Sequence, residues 1–243
     1  MRIAIAGKGG GGKSFIAATL ARTLARSGNP VLALDLDSMP GLALSLGVQA
    51  GPEGLPEELA VELPEVGWVI REGIRAADLV DRYSVAAPDG VRLLTLGKAP
   101  GHLKAGSSAV FRHVVRTFDE PDWAIVGDLP AGVRQPAFGW TEFAKVIVIV
   151  VEPTAKSELT ARRVAVIVAR PPAKVGVVVS KWRPGDDAAA IADSVGLPLF
   201  GVVPYDDDVR GAEAAGRAPL DAVPEAAAVN AVERLLATLE SER

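Results

Sequence analysis

The chain of 243 residues contains no cysteine and few aromatic residues, which make up only 5% of it. Without cysteine the protein has no disulfide bond, no thiolate metal ligand and no cysteine nucleophile. Long hydrophobic runs are also missing: the longest aliphatic run, residues 146–151, is far too short to cross a bilayer, and the first residues lack the apolar core of a signal peptide. We therefore expect a cytoplasmic protein with no membrane partner.

An excess of positive charge is absent as well. The chain has 26 basic and 30 acidic residues and a formal net charge of −4, so its overall charge does not attract nucleic acid or anionic lipid. Apolar residues make up 49%, as in globular proteins. No internal repeat or linker divides the sequence, and its length predicts a single domain over residues 1–243. Residues 47–64, rich in Gly, Pro and Glu, are expected to form a surface excursion.

Short aliphatic runs alternate with helical patterns along the chain. The runs lack polar alternation, which is typical of strands that are covered on both faces; they are residues 2–6, 31–37, 91–96, 123–129, 146–152, 175–180 and 199–203. Helices are predicted over residues 14–27, 156–169 and 224–239. The alternation predicts an α/β protein with a doubly wound, mainly parallel central sheet and helices on both faces.

A glycine-rich segment joins the first predicted strand to the first predicted helix. It reads Gly7-Lys8-Gly9-Gly10-Gly11-Gly12-Lys13-Ser14 and fits G-x-x-x-x-G-K-[ST], in which backbone N–H groups surround the phosphates of a nucleotide. Lys13 is expected along the β- and γ-phosphates, and the Ser14 hydroxyl is expected to bind Mg²⁺. This P-loop predicts ATP and Mg²⁺ as cofactors.

Two carboxylates follow predicted strands, at residues Asp37 and Asp128. Ligands of open parallel sheets bind at the carboxyl ends of the strands, so both side chains are expected to face the P-loop. There they would hold Mg²⁺ or orient an attacking water, whereas the alternative is that each one caps a helix. Asp35 shares the side of the strand with Asp37 but lies deeper, and a structural and a functional role remain equally open for it.

Residues 8–14 resemble the deviant P-loop, K-G-G-x-G-K-[ST], of the MinD/ParA/nitrogenase-iron-protein class. The resemblance implies an ATPase that forms a nucleotide-dependent homodimer, in which Lys8 reaches the phosphates bound by the partner. It also implies that Asp37 positions the hydrolytic water and that Asp128 lies near Mg²⁺. Lys8, Lys13, Asp37 and Asp128 are thus the expected catalytic residues.

Further fragments resemble the CooC-type ATPases, which are maturation factors of a nickel enzyme. The fragments are residues 81–85, 89–94, 97–98, 150–154, 157–163, 203–206 and 216–220. The resemblance implies an accessory or maturation ATPase that acts on an unidentified protein client. It also implies that Ser180 and Lys181, together with Pro204 and Tyr205, flank the nucleotide base, although asparagine is common in the class where Ser180 stands.

The metal site of the CooC-type proteins, a Cys-x-Cys pair, is missing. The corresponding stretch, residues 99–108, contains only His102 as a soft ligand, and His113 follows on a predicted helix. Two copies of one histidine supply fewer ligands than Zn²⁺ or Ni²⁺ normally takes. We therefore expect ordinary histidines and no thiolate route for nickel.

Three other features have a functional and a structural interpretation. Asp206-Asp207-Asp208 is read as a helix cap rather than as a metal cluster, and Trp182 as a residue that covers the core rather than the base. Arg162, Arg163 and Arg170 are read as surface residues. If these arginines bind DNA, the alternative function is a ParA-like nucleotide-gated module that binds DNA or positions a cargo. A small-molecule kinase would share the P-loop but would not explain Lys8.

Overall fold

The computed structural model describes residues 1–37, 41–48, 54–97, 104–133, 136, 139–169 and 172–242. Its central sheet has eight strands in the order β10-β9-β8-β1-β7-β2-β6-β5, and all neighbours are parallel except β5 and β6. The strands of this sheet are β1 (Arg2–Gly7), β2 (Val31–Asp35), β5 (Val85–Ala86), β6 (Arg92–Thr95), β7 (Ala124–Asp128), β8 (Val146–Val151), β9 (Lys174–Trp182) and β10 (Leu199–Pro204).

Helices cover both faces of this sheet. They are α1 (Lys13–Arg26), α2 (Leu42–Leu46), α3 (Ala76–Tyr83), α4 (Ala105–Thr117), α5 (Ala155–Val168), α6 (Ala188–Val195), α7 (Asp207–Ala214), α8 (Pro219–Ala222) and α9 (Ala227–Ser241). One apolar core contains side chains of α1, α2 and α9, and a second contains side chains of α3, α4, α5 and α6. The predicted doubly wound α/β fold is confirmed.

The buried strands explain why the aliphatic runs lack alternation. Every residue of β8 is buried, as is every residue of β2 and β7, because each of these strands has helices above and below it. The three predicted helices are present with ends shifted by a few residues. In the part of the chain that is described, no helix is long and apolar enough to cross a membrane.

The end of one predicted strand differs from the structure. Strand β2 ends at Asp35, so Asp37 lies beyond the strand rather than within it. The expected excursion contains ordered secondary structure where it is described: a 3-10 turn (Glu57–Leu59) leads into β3 (Ala60–Leu63), which pairs with β4 (Gly67–Ile70) in an antiparallel hairpin. The hairpin packs on α4, where the Trp68 ring lies so close to Gly106 that a Cβ there would be 2.7 Å from it. Contacts with α4, rather than a hydrophobic pattern in its own sequence, therefore stabilise this hairpin.

Candidate functional site

The P-loop forms the turn that connects β1 to α1. Strand β1 lies between β7 and β8 in the sheet. Gly12 immediately precedes α1 and has a left-handed backbone, with φ of 87°. Gly7 ends β1 with φ of 145°, and a Cβ there would lie 2.4 Å from the Val150 carbonyl oxygen. The geometry thus requires glycine at Gly7 for close packing and favours it at Gly12 for backbone conformation. The turn opens at the carboxyl edge of the sheet and at the amino end of a helix, where phosphate groups bind favourably.

Both P-loop lysines make contacts within their own chain. Lys13 is buried, and its Nζ donates to the Lys8 carbonyl oxygen over 3.4 Å. Lys8 Nζ lies 3.0 Å from Glu152 Oε2, in an ion pair whose two side chains are mostly buried. Lys8 is therefore held at the P-loop by a carboxylate from the end of the adjacent strand β8.

Ser14 and Asp128 meet at the base of the loop. Ser14 Oγ donates to Asp128 Oδ2 over 2.5 Å, and Asp128 is only 3% exposed. Its Oδ1 is buried and has no hydrogen-bond partner among the described residues. Burial raises the pKa of Asp128 to about 6, although the Ser14 hydrogen bond and the Lys13 charge favour the ionised form. A hydroxyl oxygen and an uncompensated carboxylate oxygen are ligands that suit Mg²⁺.

Asp35 and Asp37 have different environments. Asp35 is fully buried, and its carboxylate accepts from the backbone N–H groups of Asp37 and Leu42, each at 3.1 Å. Burial, with a further contribution from the charge of Asp128, raises the pKa of Asp35 to about 7. Asp35 thus fixes the backbone that follows β2. These contacts support a structural role for Asp35. Asp37 is half-buried and close enough to Asp128 for their charges to interact.

A pocket of about 130 Å³, partly open to solvent, lies beside the P-loop. It brings the predicted base-flanking residues together with the loop. Its lining includes Gly11, Gly12, Ser180, Lys181, Pro204 and Tyr205. Val203 and Val209 add apolar surface, which suits the planar face of a base.

Ser180 and Lys181 bind the P-loop itself. Ser180 is 2% exposed, and its Oγ donates to the Gly11 carbonyl oxygen over 2.6 Å. Lys181 Nζ donates to the Gly10 carbonyl oxygen and lies 3.0 Å from Glu152 Oε1. The Ser180 hydroxyl thus donates its proton to a backbone acceptor of the same chain.

Glu152 was not identified as a site residue from the sequence. It follows β8 directly and pairs one carboxylate oxygen with Lys8 and the other with Lys181. Burial opposes its ionisation, but the hydrogen bonds and charges of Lys181 and Lys8 outweigh burial and lower the pKa of Glu152. Its position at the carboxyl end of a strand beside β1 is the signal that could have identified it.

The remaining candidates have structural roles where the structure describes them. Asp206 caps α7 by accepting from the N–H groups of Asp208 and Val209. Trp182 donates to the Asp186 carbonyl oxygen and is not among the residues that line the pocket beside the P-loop. His113 contacts the Ile74 carbonyl oxygen over 3.1 Å.

Within the described ranges, no group of three or more His, Asp or Glu side chains is placed to hold a metal ion. His102, Lys98 and Arg170 lie outside the described residues.

Comparison with known proteins identifies the family. The model of the CobQ/CobB/MinD/ParA nucleotide binding domain matches residues 3–220. An uncharacterized ATP-binding protein of Methanocaldococcus jannaschii is 30% identical over 238 residues, which cover 89% of this chain and 90% of that protein. The carbon monoxide dehydrogenase accessory protein CooC of Rhodospirillum rubrum is 28% identical over 246 residues, covering 92% and 91%.

Solved structures show the same fold. The septum site-determining protein MinD of Pyrococcus horikoshii, complexed with Mg-ADP, superposes with a TM-score of 0.74 at 21% identity, covering 98% of this chain and 95% of that one. Together with the match of the family model to most of the sequence, the fold and the P-loop geometry show that the chain belongs to the CobQ/CobB/MinD/ParA nucleotide-binding family.

Proposed function

We propose that the protein is a Mg²⁺-dependent ATPase that works as a nucleotide-dependent homodimer and acts on a protein client. The observation that carries this proposal is the Ser14–Asp128 pair at the base of the P-loop, with one buried carboxylate oxygen left without a partner among the described residues. A buried polar atom of this kind needs a ligand, since desolvation without a partner is costly. Ser14, Asp128 and Asp37 would hold Mg²⁺, which would offset the negative charge of the phosphates.

Hydrolysis would be an in-line attack of water on the γ-phosphorus. The bond from water oxygen to phosphorus forms as the bond to the ADP oxygen breaks, and the water proton leaves to solvent or phosphate. Asp37 would orient the water, while Lys13 and the Lys8 of a second copy would stabilise charge on the transferred group. Because Lys8 is paired with Glu152 in its own chain, contact with another copy's phosphates would require that ion pair to open.

The pocket beside the P-loop supports a nucleotide rather than free phosphate as ligand. Its apolar wall and the Pro204–Tyr205 turn would receive the base, and we propose adenine because the similar proteins of M. jannaschii are described as ATP-binding.

The similarity to an accessory protein of carbon monoxide dehydrogenase supports an accessory role. Since the chain has no cysteine, we propose that it acts on its client through its nucleotide state, without a thiolate metal site.

The alternative, a ParA-like module that binds DNA or positions a cargo, rests on the exposed Arg162 and Arg163 of α5. Arg162 lies 3.6 Å from Glu158, one turn earlier, so part of this positive charge is compensated. Binding to DNA would weaken steeply with salt if these arginines contact phosphates. DNA affinity that is absent at low salt would remove this alternative.

The proposal is tested with Asp37→Ala. We expect this variant to bind ATP, to stop releasing phosphate and to accumulate as an ATP-dependent dimer, because the water is no longer positioned. Phosphate release and light scattering after size-exclusion chromatography measure the two effects. Asp193→Ala, which removes an exposed aspartate of α6 outside the site, should behave as the wild type. Phosphate release by Asp37→Ala at the wild-type rate would contradict the proposal.

A further inference from the structure

Two consecutive side chains of β9 bind two consecutive carbonyl groups of the P-loop. Ser180 Oγ donates to Gly11, and Lys181 Nζ donates to Gly10. Side chains that follow one another in a regular strand point to opposite faces of the sheet. The contact of both with the same loop therefore requires an irregularity in the strand.

That irregularity is a β-bulge at Lys181. In the register between β9 and β10, Ser180 pairs with Val203 and Trp182 pairs with Pro204, so Lys181 is the additional residue. Lys181 has φ of 54°, in the left-handed region that non-glycine residues rarely adopt. A bulge of this kind re-aims a side chain, and here it turns Lys181 to the loop that Ser180 already contacts.

Glu152 is a second acceptor for the Lys181 ammonium group. Its Oε1 is 3.0 Å from Lys181 Nζ, and its carboxylate is 15% exposed. Lys181 thus has two acceptors, the Gly10 carbonyl oxygen and Glu152. Its side chain is 44% exposed, but these two contacts keep the ammonium at the P-loop.

These carbonyl contacts determine where the loop N–H groups point. In a planar trans peptide the N–H of the next residue points away from the carbonyl oxygen. Binding the Gly10 oxygen therefore sets the direction of the Gly11 N–H, and binding the Gly11 oxygen sets that of the Gly12 N–H. In this structure the Gly11 N–H reaches the Lys8 carbonyl oxygen only over a long 3.4 Å, and glycine, without a Cβ, would otherwise let these peptides rotate.

We propose that Ser180 and Lys181 are positioning residues that brace the P-loop, and that they contribute to nucleotide binding through the phosphates rather than through the base. The inference rests on the proposed function, since it assumes that a nucleotide binds at the P-loop. It changes the expectation drawn from family resemblance, in which both residues flank the base. It also assigns Glu152 the role of anchoring Lys181 in that brace.

The test compares two competitors of a fluorescent ATP analogue, Mg-ATP and inorganic tripolyphosphate, which has no base. For Lys181→Met and for Ser180→Ala we expect the affinities for Mg-ATP and for tripolyphosphate to fall by the same factor. This factor is about tenfold for the loss of one hydrogen bond to the P-loop. Ser180→Thr keeps a hydroxyl and should restore wild-type affinity. Lys174→Met, which changes an exposed lysine at the other end of β9, is the matched control and should bind both competitors as the wild type does.

Weakened ATP binding with unchanged tripolyphosphate binding would assign these residues to the base and overturn the inference. Unchanged binding of both competitors would overturn it too, as would a wild-type protein that binds ATP but not millimolar tripolyphosphate. If Lys181→Met does not fold, Ser180→Ala decides. Lys13→Ala separates this inference from the proposed function: if ATP does not bind, or binds equally well to Lys13→Ala, the P-loop assignment itself fails.

Discussion

At the scale of single residues, Gly7 and Gly10 of the P-loop have positive φ angles for different reasons. Gly7 has φ of 145° and lies against the backbone of β8, where a Cβ would be 2.4 Å from the Val150 carbonyl oxygen. Gly10 has φ of 76°, but no described atom lies within 4 Å of the position that its Cβ would take. The first glycine is required by packing and the second by backbone conformation.

We predict that alanine substitution separates these two requirements. Gly10→Ala should lower the free energy of unfolding by about 1 kcal/mol, the cost of a left-handed non-glycine residue. Gly7→Ala should lower it by about 3 kcal/mol, because β1 must move away from β8. Urea denaturation measures both values, with Gly10→Ala as the control for Gly7→Ala. Equal losses in the two variants would show that contact with Val150 is not what requires glycine at Gly7.

At the scale of elements, Arg22 joins α1 to two segments distant in sequence. Its guanidinium is nearly buried and makes two hydrogen bonds to Asp221 of α8, at 2.7 and 2.6 Å, and one to Asp89 at 2.7 Å. The Arg22 hydrogen bond outweighs the effect of burial and lowers the pKa of Asp221. The far end of the P-loop helix is thus tied to α8 by charge as well as by apolar contact.

We predict that Arg22→Met lowers the free energy of unfolding by about 2 kcal/mol at neutral pH. Because the pKa of Asp221 is lowered by folding, its contribution is present above its unfolded pKa of about 4 and is lost as pH falls through the folded value. The difference between wild type and variant should therefore shrink below about pH 4. Denaturation across pH measures it. Arg26→Met, one turn further along α1, removes an exposed partner of Asp89 and should cost little; a pH-independent difference for Arg22→Met would contradict the assignment to Asp221.

The elements that the sequence predicts well are those whose pattern reflects burial on both sides. Strand β8 is apolar throughout because it is central, and its run of six aliphatic residues is unambiguous. The β3–β4 hairpin is not predictable in this way, since its β3 has one buried residue and two exposed ones, and its position depends on Trp68 meeting Gly106 of α4.

The residues of the candidate site also differ in how far the sequence predicts them. The P-loop and Asp128 are predictable because they depend on local sequence and on strand order. The contacts of Lys181 are not, because they depend on a one-residue bulge that no residue pattern marks and on a carboxylate, Glu152, from another strand. The resemblance predicts Ser180 beside the base, and only the structure shows that its hydroxyl also binds the Gly11 carbonyl oxygen.

At the scale of the whole molecule, one sheet separates two apolar cores. Phe111 of α4 belongs to one core and stands 5.8 Å, centre to centre, from the Trp140 ring. Phe200 of β10 belongs to the other, and its ring covers Gly176, where a Cβ would lie 2.4 Å from it. Both cores share the strands of the sheet, so we expect neither core to stay folded when the other unfolds.

We predict that Phe111→Ala and Phe200→Ala each destabilise the same unfolding transition, by about 3–5 kcal/mol. Calorimetry should show one transition that moves to lower temperature in both variants, as a single domain requires. Val166→Ala, which shortens an exposed side chain of α5, should leave the transition in place. Two transitions, each sensitive to only one phenylalanine, would show that the cores unfold separately.

The position of β1 in the sheet also affects when the chain can fold during its synthesis. Its hydrogen-bonding neighbours are β7 and β8, which are formed by residues 124–128 and 146–151. During synthesis, β1 therefore has no neighbouring strand to pair with until more than a hundred further residues have been added. At the usual rate of translation this interval is on the order of ten seconds. Throughout it, the nascent P-loop segment remains unassembled, so we expect the nucleotide site to form only after β7 and β8 have been made, although its motif precedes both strands in the chain.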